Sequence, residues 1–278
     1  SPYWLTYPEL IKLAGGKCVY VPTKKENGYK MTASQFADVI TDKTKCLILN
    51  TPNNPTGAVY SENEIKEIAK ICEEKNIFVI SDEIYEKLVY DGEEHYSIAQ
   101  YSPKMKDLTV IINGMSKTYA MTGWRIGYLA GPVNVVKAIS SMQSHTTSNA
   151  CSISQYASVT ALVDPKGEQF ICEMQKVFDE RRKLMIEMLS DVPGIVCIQP
   201  KGAFYVFVNV ADLYGKAFDG VVIKDSLTFA DCALKRGVAL IPGVAFGSDD
   251  CIRLSYAISI EDIKEGLNRL ISFIKELK

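Results

Sequence analysis

Lys117 stands eight residues before Arg125 in the run Asn113-Gly-Met-Ser-Lys-Thr-Tyr-Ala-Met-Thr-Gly-Trp-Arg125. An amine can condense with an aldehyde, and a guanidinium can grip a phosphate through charge-assisted hydrogen bonds. Pyridoxal phosphate carries both an aldehyde and a phosphate, so this pair is what such a cofactor needs. A surface lysine in a glycine-containing loop fits the same run, and the pair needs support from elsewhere in the chain.

Two upstream motifs supply it. Asn50-Thr-Pro-Asn-Asn-Pro-Thr-Gly57 follows the apolar run Lys45–Leu49, which reads as a buried strand. Its prolines and glycine end the strand and demand a turn. Asn54 is thereby expected at the carboxyl end of a strand, where open α/β sheets bind ligands. The second motif, Ile77-Phe-Val-Ile-Ser-Asp82-Glu-Ile-Tyr85, delivers Asp82 and Tyr85 to the same edge. Taken alone, Asp82 could equally cap a short following helix.

The elements that position these groups alternate through the first half of the chain, the pattern of a parallel α/β sheet flanked by helices. Short strands are expected at Lys17–Val21, Cys46–Leu49, Phe78–Ile80, Leu108–Ile112 and Ile126–Leu129. Thr32 with Gln35, and Ser61 with Glu64, form capping boxes that open helices. A first helix runs over Pro8–Ala14. Beyond Pro132 the pattern changes to helices at Val133–Ser144 and Ser152–Leu162, then a long amphipathic one over Glu168–Leu189. Its Arg181-Arg182-Lys183 cluster reads as a solvated face. Strands at Val196–Ile198, Ala203–Val208 and Ile252–Ser255, with helices at Asp225–Arg236 and Ile260–Lys275, form a smaller α+β domain. The boundary falls near Phe178, giving a large domain of residues 1–178 and a small one of 179–278. On its strand Arg253 faces away from Ile252 and Leu254.

Composition narrows the class. The 278 residues exceed one average domain, and 47% are apolar, enough for a sizeable core. A net charge of −2 without long single-sign blocks argues against a nucleic-acid surface. No apolar run approaches the ~18 residues of a membrane span, and no signal peptide opens the chain. The eight cysteines include no C-x-x-C pair, and Cys46, Cys72 and Cys197 read as reduced core thiols in the cytoplasm. With His95 and His145 the only histidines, no metal site is expected.

An amide, a carboxylate with a phenol three residues on, a lysine and then an arginine, in that order, resemble the fold-type I class I/II aminotransferases of the aspartate aminotransferase superfamily. The resemblance extends from Ser1-Pro-Tyr-Trp-Leu-Thr-Tyr-Pro-Glu9 to Cys251-Ile-Arg-Leu-Ser-Tyr256. It implies a pyridoxal phosphate enzyme, an aspartate-like amino donor, 2-oxo acid acceptors and a homodimer. By that likeness Lys117 forms the Schiff base and moves the proton, Asp82 faces the pyridine nitrogen, and Tyr85 and Asn54 bond the phenolic oxygen. Arg125 and Ser116 hold the phosphate, Trp4 stacks on the ring, and Arg253 binds the substrate carboxylate. The family often has a phosphate-binding serine three residues before the lysine, where this chain has Gly114. The family also carries an N-terminal segment ahead of the point matching Ser1, so the chain resembles its C-terminal portion, with weak or no activity expected of that portion. Two alternatives share the motifs: a C–S β-lyase acting on sulfur amino acids, and a non-catalytic pyridoxal phosphate-binding regulatory domain.

Overall fold

Local capping starts the helices where the sequence places them. Thr32 Oγ1 accepts from Gln35 N at 3.2 Å and the Gln35 side chain accepts from Thr32 N at 3.0 Å, which opens a helix at Ala33–Val39. Ser61 and Glu64 do the same for Glu62–Lys75. That helix buries Ile65, Ile68, Ala69 and Cys72, one face at helical spacing, and each fully buried isoleucine contributes about 1.5–3 kcal/mol.

The structure, a computed structural model, describes residues 1–278. The helices are α1 (Thr6–Leu13), α2 (Ala33–Val39), α3 (Glu62–Lys75), α4 (Pro103–Leu108), α5 (Met115–Thr118), α6 (Val133–Thr146), α7 (Ser152–Val163), α8 (Pro165–Ser190), α9 (Ser226–Lys235) and α10 (Ile260–Glu276). No helix is long and apolar enough to cross a membrane.

One compact unit comprises Met31–Pro52 and Val59–Gln175. Its sheet orders β1 (Cys46–Asn50), β2 (Phe78–Asp82), β3 (Thr109–Gly114) and β4 (Gly127–Ala130) side by side. β1, β2 and β3 run parallel, and β4 returns antiparallel on β3. This is the mostly parallel α/β sheet the sequence predicts. Val79, Ile68, Leu88, Ile98 and Met105 are buried without residual exposure and form its core. In contrast, α6 buries no residue, and Met142, Ile153, Tyr156, Leu162 and Val163 of α6 and α7 are exposed. Cys46, expected in the core, is exposed at the first position of β1, while Leu49 and Asn50 at its other end are buried; Cys72 is buried and all eight thiols are free.

The second unit comprises Ser1–Lys30, Asn53–Ala58 and Lys176–Lys278. Its sheet orders β5 (Val196–Cys197), β6 (Tyr205–Asn209), β10 (Cys251–Ser255) and β9 (Ile241–Pro242), all neighbours antiparallel. A two-stranded ribbon pairs β7 (Ala217–Phe218) with β8 (Val221–Val222). α10 buries Ile263, Leu267, Leu270, Phe273 and Ile274. Phe273 meets Phe218 and Phe229 edge-on at 5.1 and 5.2 Å. Arg182, read from sequence as solvated, is fully buried instead. Its guanidinium bonds Asp179 Oδ1 at 2.6 Å and donates to Pro200 O at 2.9 Å.

The sequence places one domain break near Phe178; the last of the changes between the two compact units falls at Lys176. Ser1–Lys30 and Asn53–Ala58, however, join the C-terminal segment. Tyr3 N donates to Phe246 O at 3.1 Å, and Gly57 O accepts from Lys201 N and Gly202 N at 2.9 and 2.8 Å. Lys17–Val21, expected as a strand, forms none; Ser1 N donates to Val21 O instead.

Gly57 has φ +68°, and a Cβ there would lie 2.3 Å from Pro200 Cβ and 2.9 Å from Gly202 O. Gly57→Ala therefore combines left-handed strain with overpacking. Together these are expected to lower the unfolding free energy by about 2–4 kcal/mol, read as a lower urea midpoint. An unchanged midpoint would show that the Asn53–Ala58 segment yields freely.

Candidate active site

Parallel pairing sets the geometry of the first unit's sheet edge. β2 and β3 are neighbours with Asp82 opposite Ile112, so both strands end on the same side. Asp82 is the last residue of β2, and Lys117 lies on α5, immediately after β3. β4 begins where β3 ends, with Gly127 opposite Gly114, so Arg125 is delivered to that edge from the other direction. Asp82, Tyr85, Ser116, Lys117 and Arg125 thus belong to one edge of one sheet, the carboxyl edge at which open α/β sheets bind ligands.

Each is held by its surroundings. Asp82 Oδ1 accepts from Ile84 N at 3.2 Å, so the carboxylate does cap the turn after β2. Asn50 Nδ2 and Thr51 N both donate to Asp82 O, at 3.0 and 3.3 Å, which ties the end of β1 to the end of β2. Asn50 was not among the sequence candidates, although it opens the Asn50–Gly57 motif. Tyr85 is buried, while Ser116 and Lys117 are half-buried. Arg125 is exposed, has the left-handed φ of 55°, and donates from Nη1 to Thr122 O at 2.8 Å. A positive φ is uncommon outside glycine, and here it closes the turn Thr122–Trp124.

Gly114 explains a departure from the family pattern. A Cβ at this position would lie 2.8 Å from Ile126 O and 3.0 Å from Gly127 Cα, so a serine side chain has no room without moving β4.

Glu83, next to Asp82, is buried and forms a polar cluster that sequence reasoning missed. Its carboxylate accepts from Ser81 Oγ at 2.8 Å and Ser97 Oγ at 2.6 Å, and its other oxygen lies 3.0 Å from His95 Nε2. Burial works against the charge of Glu83, but the hydrogen bonds from His95, Ser97 and Ser81 outweigh it and hold its pKa below the usual carboxylate value. A carboxyl with a lower pKa folded than unfolded stabilises the fold above its unfolded value and loses that contribution as pH falls through its folded one. Glu83→Gln is thus expected to melt below the parent at neutral pH, with the gap narrowing as pH drops below 4.5. A gap independent of pH, in melting curves across that range, would remove the charge from the account.

The second unit carries the other candidates. Arg253 Nη1 donates to Asn54 Oδ1 at 2.8 Å, which joins residues far apart in sequence. Asn54 is buried on a turn held by Asn53 N to Ala58 O and Gly57 N to Asn53 O, both 2.9 Å. Trp4 precedes α1, is 36% exposed, and meets Tyr7 edge-to-face with centroids 5.3 Å apart. The eight candidates therefore fall into two sets: Asp82, Tyr85, Ser116, Lys117 and Arg125 on the parallel sheet, and Trp4, Asn54 and Arg253 on the other unit.

Comparison with known proteins gives this arrangement its family. Residues 1–270 match the model of aminotransferase class I and II. The aspartate aminotransferase of Bacillus sp. (strain YM-2) is 46% identical over 275 residues, covering 99% of this chain and 69% of that protein. The probable aspartate/prephenate aminotransferase of Aquifex aeolicus is 43% identical, over 100% of this chain and 69% of its own length. Among solved structures, the aspartate aminotransferase of Rhizobium meliloti superposes with a TM-score of 0.95 at 38% identity, covering 100% of this chain and 70% of that one. The aromatic aminotransferase of Pyrococcus horikoshii superposes at 0.92 and 38% identity, covering 99% and 72%. The chain belongs to the class I and II aminotransferases. It is a pyridoxal phosphate-dependent aminotransferase, moving an amino group between an amino acid and a 2-oxo acid.

Proposed function

We propose that the preferred amino donor is L-aspartate or a close acidic relative, and that Lys117 and Asp82 are the principal catalytic groups. The reading of donor rests on the aspartate aminotransferases among the relatives. The reading of site rests on one observation above all: parallel β2 and β3 bring Asp82 and Lys117 to the same sheet edge.

The donor set of that edge fits pyridoxal phosphate: a carboxylate, an amine, a phenol, a hydroxyl and a guanidinium on two adjacent strand ends and the start of a third. The cofactor, when bound, supplies an electron sink for charge that develops on the substrate α-carbon. Lys117 would anchor it through the amine, and the same amine would carry the proton removed from the substrate α-carbon. Asp82 would hold the ring nitrogen and favour its protonated form, because a nearby opposite charge favours the charged form. Tyr85 would donate to the ring oxygen. Arg125 and Ser116 hold the phosphate, and the crowding at Gly114 favours Ser116 for the hydroxyl contact.

On the other unit, Arg253 pairs with the substrate α-carboxylate. A planar fork of donors grips a carboxylate with two parallel hydrogen bonds, a geometry lysine lacks. Asn54, bonded to Arg253 Nη1, orients that fork, and Trp4 offers an apolar wall for the substrate. The protein acts as a homodimer in the cytoplasm, a reading supported by the exposed apolar side chains of α6 and α7 and by eight free thiols. A monomer mass by light scattering would overturn the dimer.

The test is a screen of amino donors against 2-oxoglutarate with the cofactor-loaded protein. L-aspartate is expected to give the highest kcat/KM. A higher value for an aromatic donor overturns the donor assignment, and release of pyruvate and ammonia from a cysteine conjugate, without amino transfer, would favour the lyase.

A further inference from the structure

We infer that Tyr205 is a positioning residue for substrate recognition: its ring, with that of Phe246, clamps the Arg253 guanidinium in the plane in which a carboxylate is received. This rests on the reading of Arg253 as the carboxylate-binding arginine.

The sheet register makes the clamp. β10 pairs antiparallel with β6, with Arg253 opposite Phe207 and Ser255 opposite Tyr205. Residues two apart on one strand share a face, so Tyr205 is the diagonal neighbour of Arg253 on the same face, within reach of a long side chain. Arg253 Cζ lies 4.4 Å from the centroid of the Tyr205 ring and 4.8 Å from that of Phe246. Both rings are largely removed from water, at 7% and 0% exposure. A cation over an aromatic face is attracted by the ring quadrupole, and more strongly where water is excluded.

The rings are themselves fixed. Phe246 packs on Phe207 with centroids 6.1 Å apart, and Phe207 packs edge-on to Tyr29 at 5.5 Å. Tyr3 N bonds Phe246 O. The guanidinium therefore has ring faces against it and Asn54 Oδ1 in its edge. A guanidinium packed on its face can meet a carboxylate only through its edge, as the two-pronged pairing requires. The ordering of a flexible arginine is then completed during folding and does not weigh on each binding event.

The test uses the cofactor-loaded protein and measures KM and kcat for the best amino donor of the screen, with the dissociation constant of maleate by calorimetry as a readout free of chemistry. Tyr205→Leu removes the ring, and KM and the maleate constant are expected to rise roughly 5- to 30-fold while kcat stays within about twofold. Tyr205→Phe keeps the ring and is expected to restore both. Should Tyr205→Leu fail to fold, pentafluorophenylalanine at position 205 keeps the shape but inverts the ring's electrostatics, and is expected to raise both constants relative to Tyr205→Phe. Arg253→Lys separates the two levels of the argument. If it weakens binding while neither the leucine nor the fluorinated variant does, the clamp is overturned and the role of Arg253 stands. If Arg253→Lys also binds normally, the reading of Arg253 falls and the clamp with it.

Discussion

Lys117→Ala is expected to abolish steady-state amino transfer, with kcat reduced by about 10⁴-fold or more, while the melting temperature stays near that of the parent. General acid–base catalysis by a positioned side chain is worth about 10²–10⁴-fold, and Lys117 is also assigned the covalent anchoring of the cofactor. Stability should survive because Lys117 is half-buried on the one-turn helix α5, not part of a packed core. The fold there is set by Met115, buried and bonded from its backbone nitrogen to Ile126 O at 3.1 Å. Borohydride reduction of the cofactor-loaded protein followed by peptide mapping checks the same assignment chemically. A label on a different lysine, or an active alanine variant, removes Lys117 from the mechanism.

What the sequence discloses here is what neighbouring residues decide among themselves. The capping boxes at Thr32 and Ser61 satisfy backbone donors within one turn, so four residues are enough to read them. The strands ending at Asn50 and Asp82 are legible because an apolar run meets turn residues, and that coincidence also located the candidate site. Pairing over long separations is not written in any local pattern. Nothing near Gly57 announces that its carbonyl receives the amides of Lys201 and Gly202, or near Tyr3 that its amide meets Phe246 O, although these bonds tie Asn53–Ala58 and Ser1–Lys30 to the C-terminal segment. Arg182 looked solvated because it sits in a run of charged residues; its partners, Asp179 one turn back and Pro200 farther along the chain, become visible only in three dimensions. The antiparallel return of β4 is equally silent, since period-2 patterning carries no strand direction. The Glu83 cluster is a middle case. His95 and Ser97 lie close ahead in the sequence, but a buried carboxylate beside the candidate Asp82 reads as part of the same motif until its partners are seen.

Asp82→Asn isolates charge from shape. The asparagine Oδ1 can still accept from Ile84 N, and the bonds from Asn50 Nδ2 and Thr51 N go to the backbone carbonyl, which the substitution leaves in place. Strand β2 and the turn after it are therefore expected to persist, with circular dichroism and melting temperature close to the parent's. The negative charge proposed to keep the ring nitrogen protonated is lost. A neutral amide cannot hold that proton, so charge developing on the substrate α-carbon is stabilised less in the transition state than in the parent. Removing one preorganised electrostatic contact costs about 10²–10³ in kcat. Cofactor affinity, which the proposed site shares among Lys117, Arg125 and Ser116, should change by less than about tenfold, a difference of roughly 1.4 kcal/mol. The measurement pairs kcat under saturating cofactor with a fluorescence titration of cofactor binding. A loss of affinity as large as the loss of rate would make Asp82 a binding group, and an unchanged kcat would take the carboxylate out of the chemistry altogether.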